Sequence, residues 1–235
     1  MDMLYLYILF IIASYFLGAM PFMILIGRVR GVDLSKAPDL HHALWYDVGR
    51  GWGILGFTLD VLKGVLPVLA GFLAGFPLGI NALGGLAALC GQMWPVFRKF
   101  DGERGNTVSV GITFTLSLAY GALPMFLIAL GFALAGFAAR TALRWKSSGS
   151  NLNERLRLGG SPSLVFPLGV IIGFASFPVS SALLGQPPEM TLRLGGVVLL
   201  ILARRLTAVL RADLRGSSHP LAVIINRLLF DRSEI

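Results

Sequence analysis

The chain alternates long apolar runs with short polar segments from one end to the other. A helix needs about 20 apolar residues to cross a bilayer. This pattern therefore predicts an all-α polytopic membrane protein with seven transmembrane helices. The predicted spans cover about residues 4–27, 52–73, 78–96, 108–119, 123–139, 164–184 and 192–202.

Three of these features predict departures from straight spanning helices. In the first span, Gly18, Ala19 and Pro21 predict a kink. The run at 108–119 is short for a span and is expected to be a broken or tilted element. Residues 221–230 form an apolar run with Arg227 inserted, which predicts a short amphipathic helix lying on the membrane surface.

The composition supports this assignment. Of 235 residues, 55% are hydrophobic and 14% are charged, whereas soluble domains average about 25% charged residues. The only cysteine, Cys90, lies inside an apolar run, which excludes a disulfide within the chain and a cysteine-based metal site. We therefore expect one membrane domain over residues 1–235.

The basic residues are distributed unevenly between the two ends of the predicted spans. The formal net charge is +8, and 18 of the 20 Lys and Arg residues follow spans one, three, five and seven. Basic loops stay cytoplasmic, so the N-terminus is expected outside and the C-terminus in the cytoplasm. This arrangement explains the charge without a nucleic-acid partner. It predicts a multi-pass protein of the cytoplasmic membrane, with cytoplasmic segments at about 28–50, 98–106, 140–161 and 203–235.

The segment 98–106, called here the cationic loop, is the strongest candidate for function. It brings Arg98, Lys99 and Arg104 together with Gly102 and Gly105. Glycine lets backbone N–H groups approach an anion, and arginine offers forked donors to phosphate. The alternative is a basic loop that only fixes the membrane topology.

Two further sets of polar residues stand out. Asp60 and Lys63 lie three residues apart inside the second span, and so on one helix face. Charges within a membrane span are functional candidates, although a structural ion pair is the alternative. His41 and His42 suggest a metal site, but adjacent histidines do not easily share one and the sequence shows no other ligand cluster. An exposed polar loop without metal is therefore the favoured interpretation.

Four stretches resemble, in order, the bacterial acyl-phosphate-dependent glycerol-3-phosphate acyltransferases, the PlsY family. They are Gly18-Ala-Met-Pro-Phe22; Gly31-Val-Asp33 with Lys36; Asp60-Val-Leu-Lys-Gly64; and Gly91-x-x-x-Pro-Val-Phe97 with Lys99-Phe100 and Gly102-x-x-Gly105. The resemblance implies a membrane enzyme with a cytoplasmic active site. Such an enzyme moves a fatty acyl group from acyl phosphate to the 1-hydroxyl of glycerol 3-phosphate and makes lysophosphatidic acid. It implies no metal or other cofactor.

The polar positions of these motifs differ from the family pattern. Where the family has Gly-Ser-Gly-Asn, this chain has Pro38-Asp39-Leu40-His41, and the family histidine of the second loop is Gln92. The family Gly-Gly-Lys-Gly is Gly102-Glu103-Arg104-Gly105. The third-loop His-Arg-Glu-Asn-Ile has become Arg204-Arg-Leu-Thr-Ala208.

The resemblance nevertheless implies roles for particular residues. Gln92 and Arg104 would be catalytic, with Gln92 beside the reacting carbonyl and Arg104 holding a phosphate. The substrate-binding residues would be Asp39, His41, Arg50, Asp60, Lys63, Lys99, Gly102, Gly105 and Arg205. The implied partners are acyl phosphate, glycerol 3-phosphate, the lipid bilayer and possible partner enzymes of lipid synthesis.

Two other functions are compatible with the sequence. The substituted motifs allow a catalytically degenerate paralogue that binds a lipid or an anion, or that partners with an active enzyme. Kinked, glycine-rich spans and Lys63 also allow a small transporter, although no inverted repeat is evident.

Overall fold

The computed structural model describes residues 3–35, 37, 39–146, 165–208 and 219–230. Every regular element within these ranges is a helix, which confirms the predicted all-α class. The expectations for Lys36 and Pro38, for the polar segment after residue 146 and for the remainder of the tail lie outside the described residues. The chain forms two compact units, Met1–Gly121 and Ala122–Ile235.

The helices of the first unit begin and end close to the predicted apolar runs. They are α1 (Met3–Ala19), α2 (Phe22–Val29), α3 (Leu40–Ala43), α4 (Arg50–Leu73), α5 (Leu78–Met93) and α6 (Asn106–Ala119). A π-helical turn, Leu44–Val48, follows α3, and a 3₁₀ turn, Val96–Arg98, follows α5. The predicted first polar loop therefore contains helical structure of its own.

The first predicted span is bent. Helices α1 and α2 meet at an angle of 42°, and Pro21 lies between them. Proline has no N–H group and cannot continue the hydrogen-bond pattern of a helix. This bend confirms the kink predicted from the small residues and the proline.

Helix α1 packs directly against α5 through glycine. A side chain at Gly18 would collide with the backbone carbonyl of Ala88, and one at Gly91 would collide with the carbonyl of Tyr15. Small residues let two membrane helices approach backbone to backbone. This contact fixes α5, whose C-terminal end carries Gln92.

Within the described residues, three helices are long and apolar enough to cross a membrane. These segments are Arg50–Leu73, Leu78–Arg98 and Leu123–Ala142, and the bent pair α1–α2 makes a fourth if it counts as one span. Three apolar helices are shorter: Asn106–Ala119, Pro167–Leu183 and Pro220–Phe230. The helix lengths thus support a protein that crosses the membrane several times.

The second unit contains four helices. They are α7 (Leu123–Lys146), α8 (Val165–Leu183), α9 (Pro188–Thr207) and α10 (Pro220–Phe230). Helix α7 extends beyond residue 139, where a polar loop was predicted, because residues 138–146 are rich in the helix-favouring Ala, Leu and Arg. The predicted amphipathic helix is present as α10, with Val223 and Arg227 buried against its unit and Leu221 exposed.

Candidate active site

The first polar loop is held in place by its own apolar residues. Leu34, Leu40 and Leu44 are buried and pack in one hydrophobic cluster with Met23 and Ile24 of α2. Burial of such side chains is worth about 1.5–3 kcal/mol each relative to exposure. The loop is therefore anchored on both sides of the short helix that carries the two histidines.

The two adjacent histidines have different environments. His42 is exposed, and its ring lies 4.4 Å from the ring of Tyr46. His41 is only 32% exposed, and its Nε2 lies 3.3 Å from Oδ2 of Asp60 in α4. The prediction that this loop is exposed is thus wrong for His41. Because the loop is anchored, the His41 side chain turns toward the interior of the unit.

Asp39 has a local structural role. Its Oδ1 accepts a hydrogen bond of 3.0 Å from the backbone N–H of His42 and caps the N-terminus of α3. Aspartate is among the preferred residues at this position because it satisfies a free N–H group of the first turn. Its proposed contact with substrate remains a prediction.

Asp60, Lys63 and Gln92 form a closed hydrogen-bonded group, called here the buried cluster. Lys63 Nζ lies 2.8 Å from Asp60 Oδ1 and donates to Gln92 Oε1 at 2.7 Å. Gln92 Nε2 donates in turn to Asp60 Oδ2 at 3.1 Å. At most 4% of any of these three residues is exposed. The amide of Gln92 satisfies both charged groups at once, as a buried ion pair requires.

The cationic loop is attached to the C-terminal end of α5. Backbone N–H groups of Gly102 and Glu103 donate to the carbonyls of Met93 and Gln92, at 3.2 and 3.0 Å. A side chain at Gly102 would collide with the Gln92 carbonyl. Gly105 has φ +74°, in the left-handed region that favours glycine, and precedes α6. Packing at Gly102 and backbone conformation at Gly105 therefore explain these two glycines. The predicted role, backbone access for an anion, is a separate one.

Glu103 is a member of the site that sequence reasoning missed. Its Oε2 lies 3.6 Å from His41 Nε2, and its side chain is 22% exposed. It also lines a narrow crevice of about 10 Å³ together with Gln92, Arg98 and Pro21. A single acidic residue between the glycines of a cationic loop was the signal that could have identified it.

The histidine and the two carboxylates affect one another electrostatically. Burial and the nearby Asp60 carboxylate raise the pKa of Glu103 to about 7, against opposing effects of His41, Lys63 and Arg98. Burial disfavours the charged form of His41, but its hydrogen bond to Asp60 and the surrounding carboxylates outweigh this and raise its pKa. The surrounding carboxylates thus favour the protonated form of His41.

His41, Asp60 and Glu103 also have donor atoms within 4.8 Å of one another, a spacing that a metal ion accepts. The sequence had suggested no such cluster, because the three residues come from separate elements. Lys63 already pairs with Asp60 at 2.8 Å. A metal ion would therefore compete with the Lys63 ammonium group for Asp60, whereas protonation of His41 leaves the Lys63–Asp60 pair intact.

The remaining predicted residues lie in different surroundings. Lys99 and Arg104 are exposed in the cationic loop, and Arg50 is exposed at the first residue of α4. Arg205 belongs to the second unit, where its Nη1 donates to the carbonyls of Leu228 and Leu229 at 2.9 and 3.3 Å. The first unit thus brings His41 to the buried cluster, while Arg205 binds the end of α10.

These features define a class: all-helical, multi-pass membrane proteins with a charged site buried between helices. Several of the site residues belong to the motifs that carry the family resemblance. The chain belongs to the glycerol-3-phosphate acyltransferase family, whose model matches residues 8–212. This match confirms the membership predicted from the motifs.

Curated relatives share about a third of their residues with the chain. The glycerol-3-phosphate acyltransferase of Trichlorobacter lovleyi is 36% identical over 123 residues, 50% of this chain and 63% of the relative. That of Aquifex aeolicus is 35% identical over 132 residues, 53% of this chain and 66% of the relative. The matches therefore span about three-fifths of the length of these relatives.

Solved structures of the integral membrane protein PlsY (YgiH) are similar in fold. Its glycerol 3-phosphate form has a TM-score of 0.62 and 25% identity, covering 88% of this chain and 91% of that one. Its lysophosphatidic acid form has the same TM-score and 24% identity, covering 89% and 92%. The helical architecture is thus shared over almost the whole chain.

Proposed function

We propose that the protein transfers a fatty acyl group from acyl phosphate to the 1-hydroxyl of glycerol 3-phosphate, giving lysophosphatidic acid. The observation that carries this proposal is the buried cluster. Its three residues come from two motif stretches of the family, and they contact one another although Asp60 and Gln92 are 32 residues apart. The similar PlsY structure in its glycerol 3-phosphate form supports the choice of acceptor.

The charges of the site divide into two sets with different tasks. Lys63 is paired with Asp60 at 2.8 Å, so its charge is balanced within the buried cluster. In this proposal the positive charge for a phosphate comes from the cationic loop, where Lys99 and Arg104 are exposed. Arginine matches phosphate with two parallel hydrogen bonds. In this proposal Gln92, which lines the crevice, sits beside the reacting carbonyl.

Acyl phosphate is already an activated donor, so the protein needs to position it rather than form a covalent intermediate. Holding two reactants in contact replaces a bimolecular encounter and supplies a large part of the barrier reduction. The glycines at 102 and 105 fix the loop on α5 and α6. A fixed loop presents its cations at a constant distance from the buried cluster.

The proposed topology has seven spans, with the N-terminus outside and the C-terminus in the cytoplasm of the cell, in the cytoplasmic membrane. The bent pair α1–α2 counts as one span, and α4 to α9 supply the others. The position of 18 of 20 basic residues supports this orientation. Labelling of single cysteines placed in the cationic loop, with impermeant reagent in spheroplasts, would give no reaction if the loop faces the cytoplasm.

The enzymatic proposal is tested by assaying purified protein in detergent with acyl phosphate and radiolabelled glycerol 3-phosphate. We expect lysophosphatidic acid and inorganic phosphate in equal amounts, and loss of product when either substrate is omitted. Arg104→Ala should raise the KM for the phosphate substrates about 10-fold or more, because a charge-assisted hydrogen bond is worth about 1.5–3 kcal/mol. Folded, monodisperse protein that makes no product would contradict the proposal and favour a binding role.

A further inference from the structure

We propose that His41, Asp60 and Glu103 form a reversible inhibitory site for a zinc ion. The binding of the ion is independent of the proposed function, whereas the inhibition rests on it. In the family pattern, asparagine stands where this chain has His41, and glycine stands where it has Glu103. Two of the three ligands are therefore features of this chain, and the site does not follow from the family resemblance.

The three side chains present one nitrogen and two oxygens at the separation that a tetrahedral zinc ion requires. Zinc bonds to histidine nitrogen and carboxylate oxygen are about 2.0–2.2 Å long, so neighbouring ligand atoms lie about 3.3–3.6 Å apart. His41 Nε2 lies 3.3 Å from Asp60 Oδ2 and 3.6 Å from Glu103 Oε2. All three ligand atoms lie within 4.8 Å of one another. Two edges of the tetrahedron are thus already formed.

Each ligand belongs to a separate element that holds it in place. Asp60 lies in α4, and His41 lies in α3, whose loop is anchored by buried leucines. The backbone N–H of Glu103 donates to the Gln92 carbonyl at 3.0 Å. Binding to groups that are already positioned costs little ordering of the chain. The fold therefore prepares the site before an ion enters it.

The ligand types and the available space favour zinc over magnesium or calcium. Imidazole nitrogen suits zinc, whereas magnesium and calcium take oxygen ligands and magnesium keeps several of its waters. The crevice lined by Glu103 has a volume of about 10 Å³, which is room for about one water molecule. Three protein ligands and one water complete a four-coordinate zinc ion, so the ion needs no larger cavity.

The site is open to solvent on one side only. The side chains of His41 and Glu103 are 32% and 22% exposed, whereas that of Asp60 is wholly buried. An ion from solution therefore meets the histidine and the glutamate first, and the aspartate supplies the inner ligand. This exposure allows the bound ion to exchange with the solution.

Lys63 keeps the affinity for the ion moderate. Its Nζ lies 2.8 Å from Oδ1 of Asp60, whereas the proposed zinc ligand is the other oxygen, Oδ2. The two cations therefore share one carboxylate and repel each other. The ion must also displace the Gln92 amide, whose Nε2 lies 3.1 Å from Oδ2. These costs are those of a reversible ligand and not of a permanent cofactor.

Displacement of Gln92 is also the reason for inhibition. In the proposed function Gln92 sits beside the reacting carbonyl, and it lines the same crevice as Glu103. A zinc ion on Asp60 Oδ2 would occupy this crevice and turn the Gln92 amide away. We therefore expect zinc to reduce the rate of acyl transfer.

Zinc binding is measured first, on purified protein without a polyhistidine tag. The protein is stripped with a chelator and dialysed against zinc chloride, and the bound zinc is counted by mass spectrometry. We expect one zinc ion per chain and a melting temperature that rises with zinc concentration, because the ion binds the folded state. Zinc X-ray absorption should show nitrogen and oxygen ligands at about 2.0–2.2 Å. Substoichiometric zinc, or zinc bound to the sulfur of Cys90, would overturn the site.

His41→Asn and Glu103→Gln test the assignment of the ligands. Each should weaken zinc binding at least about 10-fold, since even residues that only support a metal ligand contribute about 10–100-fold to affinity. His42→Asn and Asp101→Asn are the matched controls, because they change an exposed histidine and an exposed carboxylate of the same two segments. The controls should bind zinc as the wild type does.

Size-exclusion profiles and melting temperatures in detergent verify that each variant is folded. Glu103→Gly, which restores the residue of the family pattern, takes the place of Glu103→Gln if the latter does not fold. Equal zinc affinity in the ligand variants and the controls would show that the ion binds elsewhere and would overturn the site.

Inhibition is measured by acyl transfer at increasing concentrations of zinc chloride. The wild-type rate should fall at the zinc concentration that half-saturates binding, and it should recover with excess chelator. His42→Asn should respond as the wild type does, whereas the activity that remains in Glu103→Gln should require at least about 10-fold more zinc. Both variants receive the same substrates, so their comparison separates the site from zinc binding to phosphate groups.

The two proposals fail in different ways. If the wild type is active but binds no zinc at these ligands, the metal site is wrong and the acyltransferase proposal stands. If the folded wild type binds one zinc ion at these ligands but is inactive with both substrates, the site stands and the proposed function is wrong. Zinc bound at these ligands with an unchanged rate would overturn the inhibitory role.

Discussion

The buried cluster and the cationic loop differ in how their charges are satisfied. In the cluster, Asp60, Lys63 and Gln92 bond to one another and are at most 4% exposed. In the loop, the side chains of Lys99 and Arg104 are exposed, and the backbone N–H groups of Gly102 and Glu103 bond to α5. A charge inside the protein needs a partner for stability, whereas a charge on a fixed loop remains accessible to a solute.

The largest effect should follow from removing the cation of the buried cluster. Lys63→Met leaves Asp60 buried without its ion pair, and breaking such a pair costs about 3–5 kcal/mol in the free energy of unfolding. We expect a lower melting temperature in detergent and loss of acyl transfer. The melting temperature is measured by scanning fluorimetry with the single cysteine as the reporter site.

The double variant Asp60→Asn with Lys63→Met is the matched control. It removes both charges, so much of the lost stability should return while the activity stays absent. Wild-type melting in the single variant would show that Asp60 is satisfied without Lys63, and the contrast between cluster and loop would then disappear.

A smaller effect is expected where the loop meets α5. Gly102→Ala places a methyl group against the Gln92 carbonyl, so the loop must shift. A displacement of about 1 Å at a site can cost about 100-fold in rate, whereas overpacking costs only about 1–3 kcal/mol in stability. Kinetics and melting of the same preparation should therefore separate the two effects.

Gly131→Ala is the control for this substitution. It lies inside α7, where, among the described residues, no atom beyond its chain neighbours and the helix's own backbone comes within 4 Å of the added methyl group. Alanine is favoured over glycine in a helix by about 0.5–1 kcal/mol. Its activity should be unchanged and its melting temperature equal or slightly higher. Full activity in Gly102→Ala would mean that the position of the loop does not matter for the reaction.

The smallest effect concerns stability and pH. The pKa of Glu103 is 4.5 ordinarily and about 7 in the folded protein, so the folded state binds this proton more tightly than the unfolded state. Its contribution to stability is therefore present below about pH 4.5 and is lost as the pH rises through about 7. Glu103→Gln should remove this part of the pH dependence, and the effect is modest because the side chain is partly exposed.

The difference between the wild-type and Glu103→Gln melting curves reports this contribution together with the part of the His41 pKa shift that Glu103 causes. His41, whose pKa is also raised, acts in the same direction above its ordinary value and remains in both proteins. Asp101→Asn should keep the wild-type dependence. Parallel curves for the wild type and Glu103→Gln would contradict the raised pKa of the carboxyl.

The positions of the helices follow from the sequence because the length of an apolar run determines the helix. The run at 52–73 corresponds to Arg50–Leu73, and the run at 78–96 to Leu78–Met93 with its 3₁₀ turn. Helix α7 was predicted too short because basic residues ended the apolar pattern, although Ala and Leu continued the helix. Seven spans and their orientation remain predictions.

The site was predictable only where its residues are close in sequence. Asp60 and Lys63 share a helix face, so their pairing followed from their spacing. The convergence of His41, Gln92 and Glu103 on Asp60 depends on contacts between separate elements, which periodicity does not report. The leucines within this polar loop were a local sequence signal that the loop packs against the helices, which brings His41 inward.

The glycine contact between α1 and α5 limits which substitutions this chain can tolerate. At Gly18 and Gly91 each helix meets the backbone of the other, not a side chain. A larger residue on one helix cannot be accommodated by a smaller one opposite, because no side chain is there to shrink. These positions should therefore tolerate less variation in a saturation library than the charged residues of the exposed loop.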